Sequence, residues 1–191
     1  MKTTHPGMIE TVSDEIVSAI KGTGDIVQAT VDTVTQLVST AIKDTGKMGT
    51  SVTDAIADVA SGAIHGAMQV GADLGHAGKG IMIGVLRGTK DTGTAVLDTI
   101  SHTAHVAIRD TAEVGGDVGA AATGLVTGAI EGAKEMGVSA EEAAAAAADG
   151  ALKAASQVGS TAVETVHHAV SKPIKGVKVV VKKPKVAATR H

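Results

Sequence analysis

The sequence predicts an all-α protein of long amphipathic helices on an 11-residue repeat, arranged as a hairpin or as an oligomeric bundle or tube, with an extended basic C-terminal tail. Three observations predict it. The 191 residues are 43% hydrophobic but include no Phe, Trp, Tyr or Cys, so the rings that normally supply much of a buried core are absent. Aliphatic side chains recur every eleven residues along most of the chain. Residues 172–191 hold seven of the 17 Lys and Arg and no acid, whereas residues 1–171 carry ten bases against 20 acids. The domain organisation expected from this is a helical repeat region at 1–171 and a basic tail at 172–191.

The repeat is read by stepping eleven residues at a time from Ile9, through Ile20, Val31, Ile42, Thr53, Ile64, Gly75, Leu86, Leu97, Ile108, Gly119, Ile130, Glu141, Leu152 and Val163 to Ile174; twelve of these sixteen are aliphatic. A second, mostly apolar column lies six residues later and includes Val59, Ile81 and Leu125. Eleven residues close three helical turns at about 3.67 residues per turn, so one stripe faces one way with little supercoil or a right-handed one. The seam expected to drive self-association is Ile9, Ile20, Val31, Ile42, Ile64, Leu86, Leu97, Ile108, Ile130, Leu152 and Val163. The opposite face is Thr, Ser, Asp, Lys and Gly, residues of modest or poor helix propensity. An isolated helix would therefore be marginal and needs a neighbouring helix, a second copy or a lipid surface.

Taken in chain order, Pro6 marks the first helix start. A turn is expected near 45–51, where Gly46 or Gly49 can stop a helix and Ser51 with Asp54 forms a capping box. The five glycines of "GADLGHAGKGIMIG" predict a hairpin turn within 71–84. A third turn is expected at 136–139, with Gly137 closing one helix, Ser139 capping the next and Glu142 at its third position. The last helix should stop before Pro173, and "GVKVVVKKPKV" reads as a short strand or as a tail ordered on a partner. Glycines four apart, such as Gly62 and Gly66, Gly71 and Gly75, Gly80 and Gly84, Gly115 and Gly119, or Gly124, Gly128 and Gly132, permit close helix approach.

Chemistry is sparse. Asp98, His102 and His105 share a helix face at a spacing compatible with a metal, although a solvated face is the commoner meaning of such a set. There is no GxxxxGK[ST] phosphate loop and no fixed nucleophile arrangement, so the chain is expected to be non-enzymatic and to have no cofactor, except that the lumen of a tube could hold an apolar lipid or quinone. Lys172, Lys175, Lys178, Lys182, Lys183 and Lys185 are expected to dock a larger protein complex or an anionic surface. "KKPKVAA" is similar to a piece of a linker-histone tail, but an acidic body without aromatic stacking platforms excludes sequence-specific nucleic-acid readout. Residues 1–25 lack the apolar core of a signal peptide and the run from Gly80 to Leu86 is too short to span a bilayer, so a cytoplasmic location is expected, peripheral to any membrane the protein meets.

The repeat, clearest in "TAVLDTISHTAHVAIRDTAEVG" and "STAVETVHHAVSK", resembles that of synucleins, perilipins and group 3 late-embryogenesis-abundant proteins. That resemblance implies amphipathic helices without an active site that fold on a lipid surface or on drying. The chain is also similar to the Gly- and Ala-rich stalk subunits that anchor large bacterial oxidoreductases such as hydrogenases near a membrane, which implies a helical tube gripping an enzyme at one end. Two functions follow as expectations: a self-associating scaffold, stalk or anchor that docks a partner by its tail, or a peripheral lipid-surface-binding helix protein.

Overall fold

The computed structural model describes residues 6–48 and 51–181. Within them lie eight helices: α1 (Pro6–Thr23), α2 (Ile26–Met48), α3 (Val52–Gln69), α4 (Leu74–Thr89), α5 (Val96–Glu113), α6 (Val118–Met136), α7 (Ala140–Val158) and α8 (Ser160–Ser171). The all-α class is as expected, but the helices are short. An 18-residue helix such as α3 is only about 27 Å long at ~1.5 Å per residue.

The breaks have a period of their own. Gly71, Gly93, Gly115, Gly137 and Gly159 all have positive φ and recur every 22 residues. At Gly137 (φ 72°) a side chain would strain the left-handed backbone, and its N–H closes α6 on the Ala133 carbonyl. Two residues after four of these glycines stand Asp73, Ala95, Asp117 and Ser139 as N-caps. Asp73 accepts from the His76 amide, Asp117 from Gly119 and Ala120, and Ser139 from Glu142; Ala95 supplies no side-chain cap. One helix with its turn thus consumes two 11-residue units.

The expected turns are corrected accordingly. The junctions near 45–51 and 136–139 separate α2 from α3 and α6 from α7, with residues 49–50 outside the described segments and Gly46 still helical. The turn expected within 71–84 occupies only 70–73, and α4 runs straight through Gly75, Gly78, Gly80 and Gly84 because Asp73 starts a helix before they are reached. Further breaks, at 24–25, 90–95, 114–117 and 159, fall where no turn was expected.

From α1 to α7 each helix packs most closely on a helix two away, and α8 packs equally on α6 and α7, giving two layers, α1–α3–α5–α7 and α2–α4–α6–α8, held together by contacts between successive helices. Within a layer neighbours run parallel, as the glycine contacts show. A Cβ at Gly62 or Gly66 of α3 would strike Val12 or Ile16 of α1; at Gly80, Gly84 or Gly88 of α4 it would strike Thr30, Val34 or Val38 of α2. Gly124, Gly128 and Gly132 of α6 likewise meet Gly75, Lys79 and Leu86 of α4. The spaced glycines at 62, 66, 80, 84, 124, 128 and 132 therefore serve close helix crossings inside one chain, while Gly71 and Gly115 are turn residues. Backbones this close also let α2 hydroxyls reach α4 carbonyls, Thr35 to Gly84 and Ser39 to Gly88, both at 3.4 Å. Repeated units that contact only their neighbours, with an unstacked surface at each end, are the geometry of a helical solenoid.

The core is aliphatic, with Ile16, Ile64, Ile81, Met82, Leu86, Ile100, Ile108 and Leu125 its largest fully enclosed side chains. The seam residues join it: Ile64, Leu86, Ile108, Ile130, Leu152 and Val163 are at most 4% exposed, Ile20 and Val31 are buried, and Ile9 and Ile42 are half-buried. Only Leu97, at 37%, is exposed, because alternate members of the column fall in the first turn of a helix, beside the turn that precedes it. The stripe is thus satisfied by the chain's own helices.

The tail differs from the extended arm expected. Ile174 and Val177 exchange two backbone hydrogen bonds of 2.9 Å, Ile174 and Val179 are buried, and Val177 and Val181 pack against the core. Aliphatic residues between the lysines draw residues 174–181 back onto the stack. Residues 182–191 lie outside the described segments.

Candidate interaction surface

Three features stand apart from the aliphatic interior: a line of ion pairs, a polar cavity and an end groove. The ion pairs run across the α2–α4–α6–α8 layer. Arg87 of α4 forms a two-pronged contact with Glu135 of α6, Nε to Oε2 at 3.0 Å and Nη2 to Oε1 at 2.7 Å, and Lys79 of α4 reaches Glu131 of α6 at 2.9 Å. Lys175 joins Glu131 from the other side at 3.2 Å. The hydrogen bonds from Arg87 hold the Glu135 carboxyl below its ordinary range, and the same contact raises Arg87. Burial pushes the Glu131 carboxyl up, but the hydrogen bonds and charges of Lys79 and Lys175 outweigh this and leave it lowered. Lys175, expected to dock a partner, is therefore engaged within the chain. Lys172 and Lys178 are exposed, and Lys182, Lys183 and Lys185 lie outside the described residues.

The polar cavity separates α3 from α5, where glycines are missing from the crossing. It encloses about 380 Å³ between the N-terminal halves of the two helices and is lined by Val52, Thr53, Ile56, Thr94, Ala95, Asp98, Thr99 and His102. Farther along the same pair the Ser61 hydroxyl donates to the Asp110 carboxylate, which also takes Arg109 Nη2 at 2.6 Å and Nε at 2.7 Å. Asp110 is 2% exposed, and a carboxylate so enclosed needs this guanidinium and hydroxyl. The cavity takes in Asp98 and His102 of the expected metal-binding set, while His105 is not part of its wall. Among the described residues no group of three or more His, Cys, Asp or Glu is gathered to hold a metal. Of the other histidines, His65 Nδ1 lies 2.7 Å from the Ser61 carbonyl oxygen and His76 Nδ1 2.7 Å from Asp73 Oδ1.

The end groove lies between α1 and α2, the first helix pair of the stack among the described residues. One part, about 480 Å³, is lined by Thr11, Asp14, Glu15, Ser18, Asp32, Thr33 and Gln36. The adjoining part, about 340 Å³, is lined by Gly7, Met8, Thr11, Val12, Leu37, Thr40, Ala41 and Asp44 with Val59 of α3 as its floor. Thr11 belongs to both, so the two adjoin as one furrow, polar and acidic along one half and more apolar along the other, which carries Asp44 as its acid. Sequence reasoning missed it: Glu15, Leu37 and Val59 belong to the second column and the other lining residues to neither, and only the pairing of α1 with α2 gathers them.

Among the described residues no helix is long and apolar enough to cross a membrane. No protein-family model matches the chain, and no curated protein matches it significantly.

Proposed function

We propose that this protein is a non-enzymatic structural scaffold: a stiff two-layer helical stack that self-associates and docks a partner, serving as a stalk or anchor for a larger membrane-associated complex. The observation that carries the proposal is the distribution of surface. Nearly all the large aliphatic side chains are spent inside the stack, several charged residues are engaged in ion pairs or helix caps, and the two ends of the chain differ in charge. Residues 7–44, which form the N-terminal end, hold six acids and two bases, whereas residues 172–191 are purely basic. Such polarity favours association of ends over association of flanks. The stripe supports this role by holding the stack together, so its residues act as core and the contacts between copies belong to the ends.

Light scattering coupled to size exclusion tests the proposal. A mass that rises above the monomer with protein concentration at ~20 mM salt, and falls at ~300 mM salt, is expected of charged ends. A monomer that stays disordered until vesicles are added would instead favour the lipid-surface function. Insertion of Ile64 or Ile108 into an acyl boundary requires the stack to open, because neither is accessible in the folded chain.

A further inference from the structure

We propose that the furrow between α1 and α2 is a docking site for the C-terminal segment, residues 182–191, of a second copy of this chain. The inference rests on the scaffold reading above and names its contact. Among the described residues α1 and α2 pack on each other and on α3 and α4, and no other helix covers the groove. Its two halves call for an occupant of mixed character: Asp14, Glu15 and Asp32 for positive charge, Met8, Leu37 and Val59 for aliphatic side chains.

Residues 182–191 have that character. They carry Lys182, Lys183, Lys185 and Arg190 with no acid, interleaved with Val186, Ala187 and Ala188. Pro184 removes a backbone donor and favours an extended path, suited to lying in a groove between helices. The complementarity is twofold, base against acid and aliphatic against apolar.

Residues 174–181 are fastened to α6 by Lys175 to Glu131 and by the burial of Ile174 and Val179. The self-association proposed above supplies the groove of another molecule for the residues that follow. Because donor and acceptor are different surfaces, the contact is head to tail, and repetition gives an open array or a ring rather than an isologous dimer.

Two full-length-fold variants test it in combination: one lacking residues 182–191, which keeps a groove but has no tail, and one with D14K and E15K, which keeps a tail but has a reversed groove. Asp14 and Glu15 are exposed and outside the core, and circular dichroism verifies that both variants keep the parent helicity. At low salt the parent chain forms concentration-dependent species larger than a dimer. Each variant alone is expected to lose association at least tenfold, and their mixture to form a one-to-one dimer that grows no further. Unchanged association in both variants would overturn the groove assignment while leaving self-association standing. A parent chain monomeric at every concentration and salt would remove the scaffold reading as well. Loss of association in the truncated chain alone, with D14K/E15K unaffected, would overturn the groove and place the tail elsewhere.

Discussion

At Gly124 a single added methyl group would collide with the backbone carbonyl of Gly75, and at Gly150 with that of Ser101. Backbone cannot turn aside as a side chain can, so Gly124→Ala or Gly150→Ala should destabilise the fold by ~1–3 kcal/mol despite alanine's better helix propensity. Gly22, also helical, has open space around its would-be Cβ, and Gly22→Ala should instead stabilise by about 0.5 kcal/mol. Urea unfolding followed at 222 nm separates the two signs; equal effects at Gly22 and Gly124 would contradict the close crossing. Ile64→Asp tests the stripe in the same way. A charge at this fully enclosed position should unfold the stack and abolish helical signal, whereas a side chain in a contact between copies would leave a helical monomer.

At the scale of the element, a chain rich in Thr and Gly makes helices through local compensation. Thr11, Thr30, Thr123, Thr127 and Thr165 donate their hydroxyls to the carbonyl four residues earlier, which satisfies the polar group without interrupting the helix. Capping supplies the ends. Ser139→Ala and Asp117→Ala should each cost ~1 kcal/mol, with the amides of Glu142, or of Gly119 and Ala120, left to water. Comparable substitution at Ala95, for example Ala95→Ser, should stabilise, because that N-cap makes no side-chain bond. Thermal melts of the three variants check the order. The sequence contained this pattern in the Gly-x-Asp or Gly-x-Ser that starts at 49, 71, 115 and 137, two repeats apart but for the Gly-Thr-Ala at 93. An 11-residue reading hides it, since the columns continue unbroken through the turns.

For the molecule as a whole, the ion pairs joining α4, α6 and the tail give stability a defined dependence on pH. Glu131 and Glu135 have lowered carboxyl values in the folded chain, while unfolded Glu titrates near ~4.3. Their contribution is therefore present above the unfolded value and is lost as pH falls through the folded values. The double variant E131Q/E135Q should be less stable than the parent at pH 7 and should converge with it below about pH 4, a difference read from urea midpoints across that range. Because both side chains keep substantial solvent contact, the difference should be modest and should shrink in high salt.

The class of fold was legible in composition and periodicity: aliphatic residues at helical spacing, no rings, no strand pattern, and caps at Ser51 and Ser139 visible from the residues themselves. Position within the helix was not legible. Leu97 and Ile108 belong to one column, yet one stands in the first turn of a helix and the other is fully enclosed, because the turns fall every 22 residues and split the column into alternating environments. Of the candidate sites, Asp98 and His102 could be named from their spacing, but the cavity they share with Thr53 and Ile56 depends on where α3 meets α5. The end groove was still less accessible to sequence. Local patterning determines which residues can be helical and which side turns inward; it carries no information on which helices become neighbours. That choice was made by the glycines of α3, α4 and α6, whose missing side chains let parallel helices approach and so turned a continuous stripe into a folded stack.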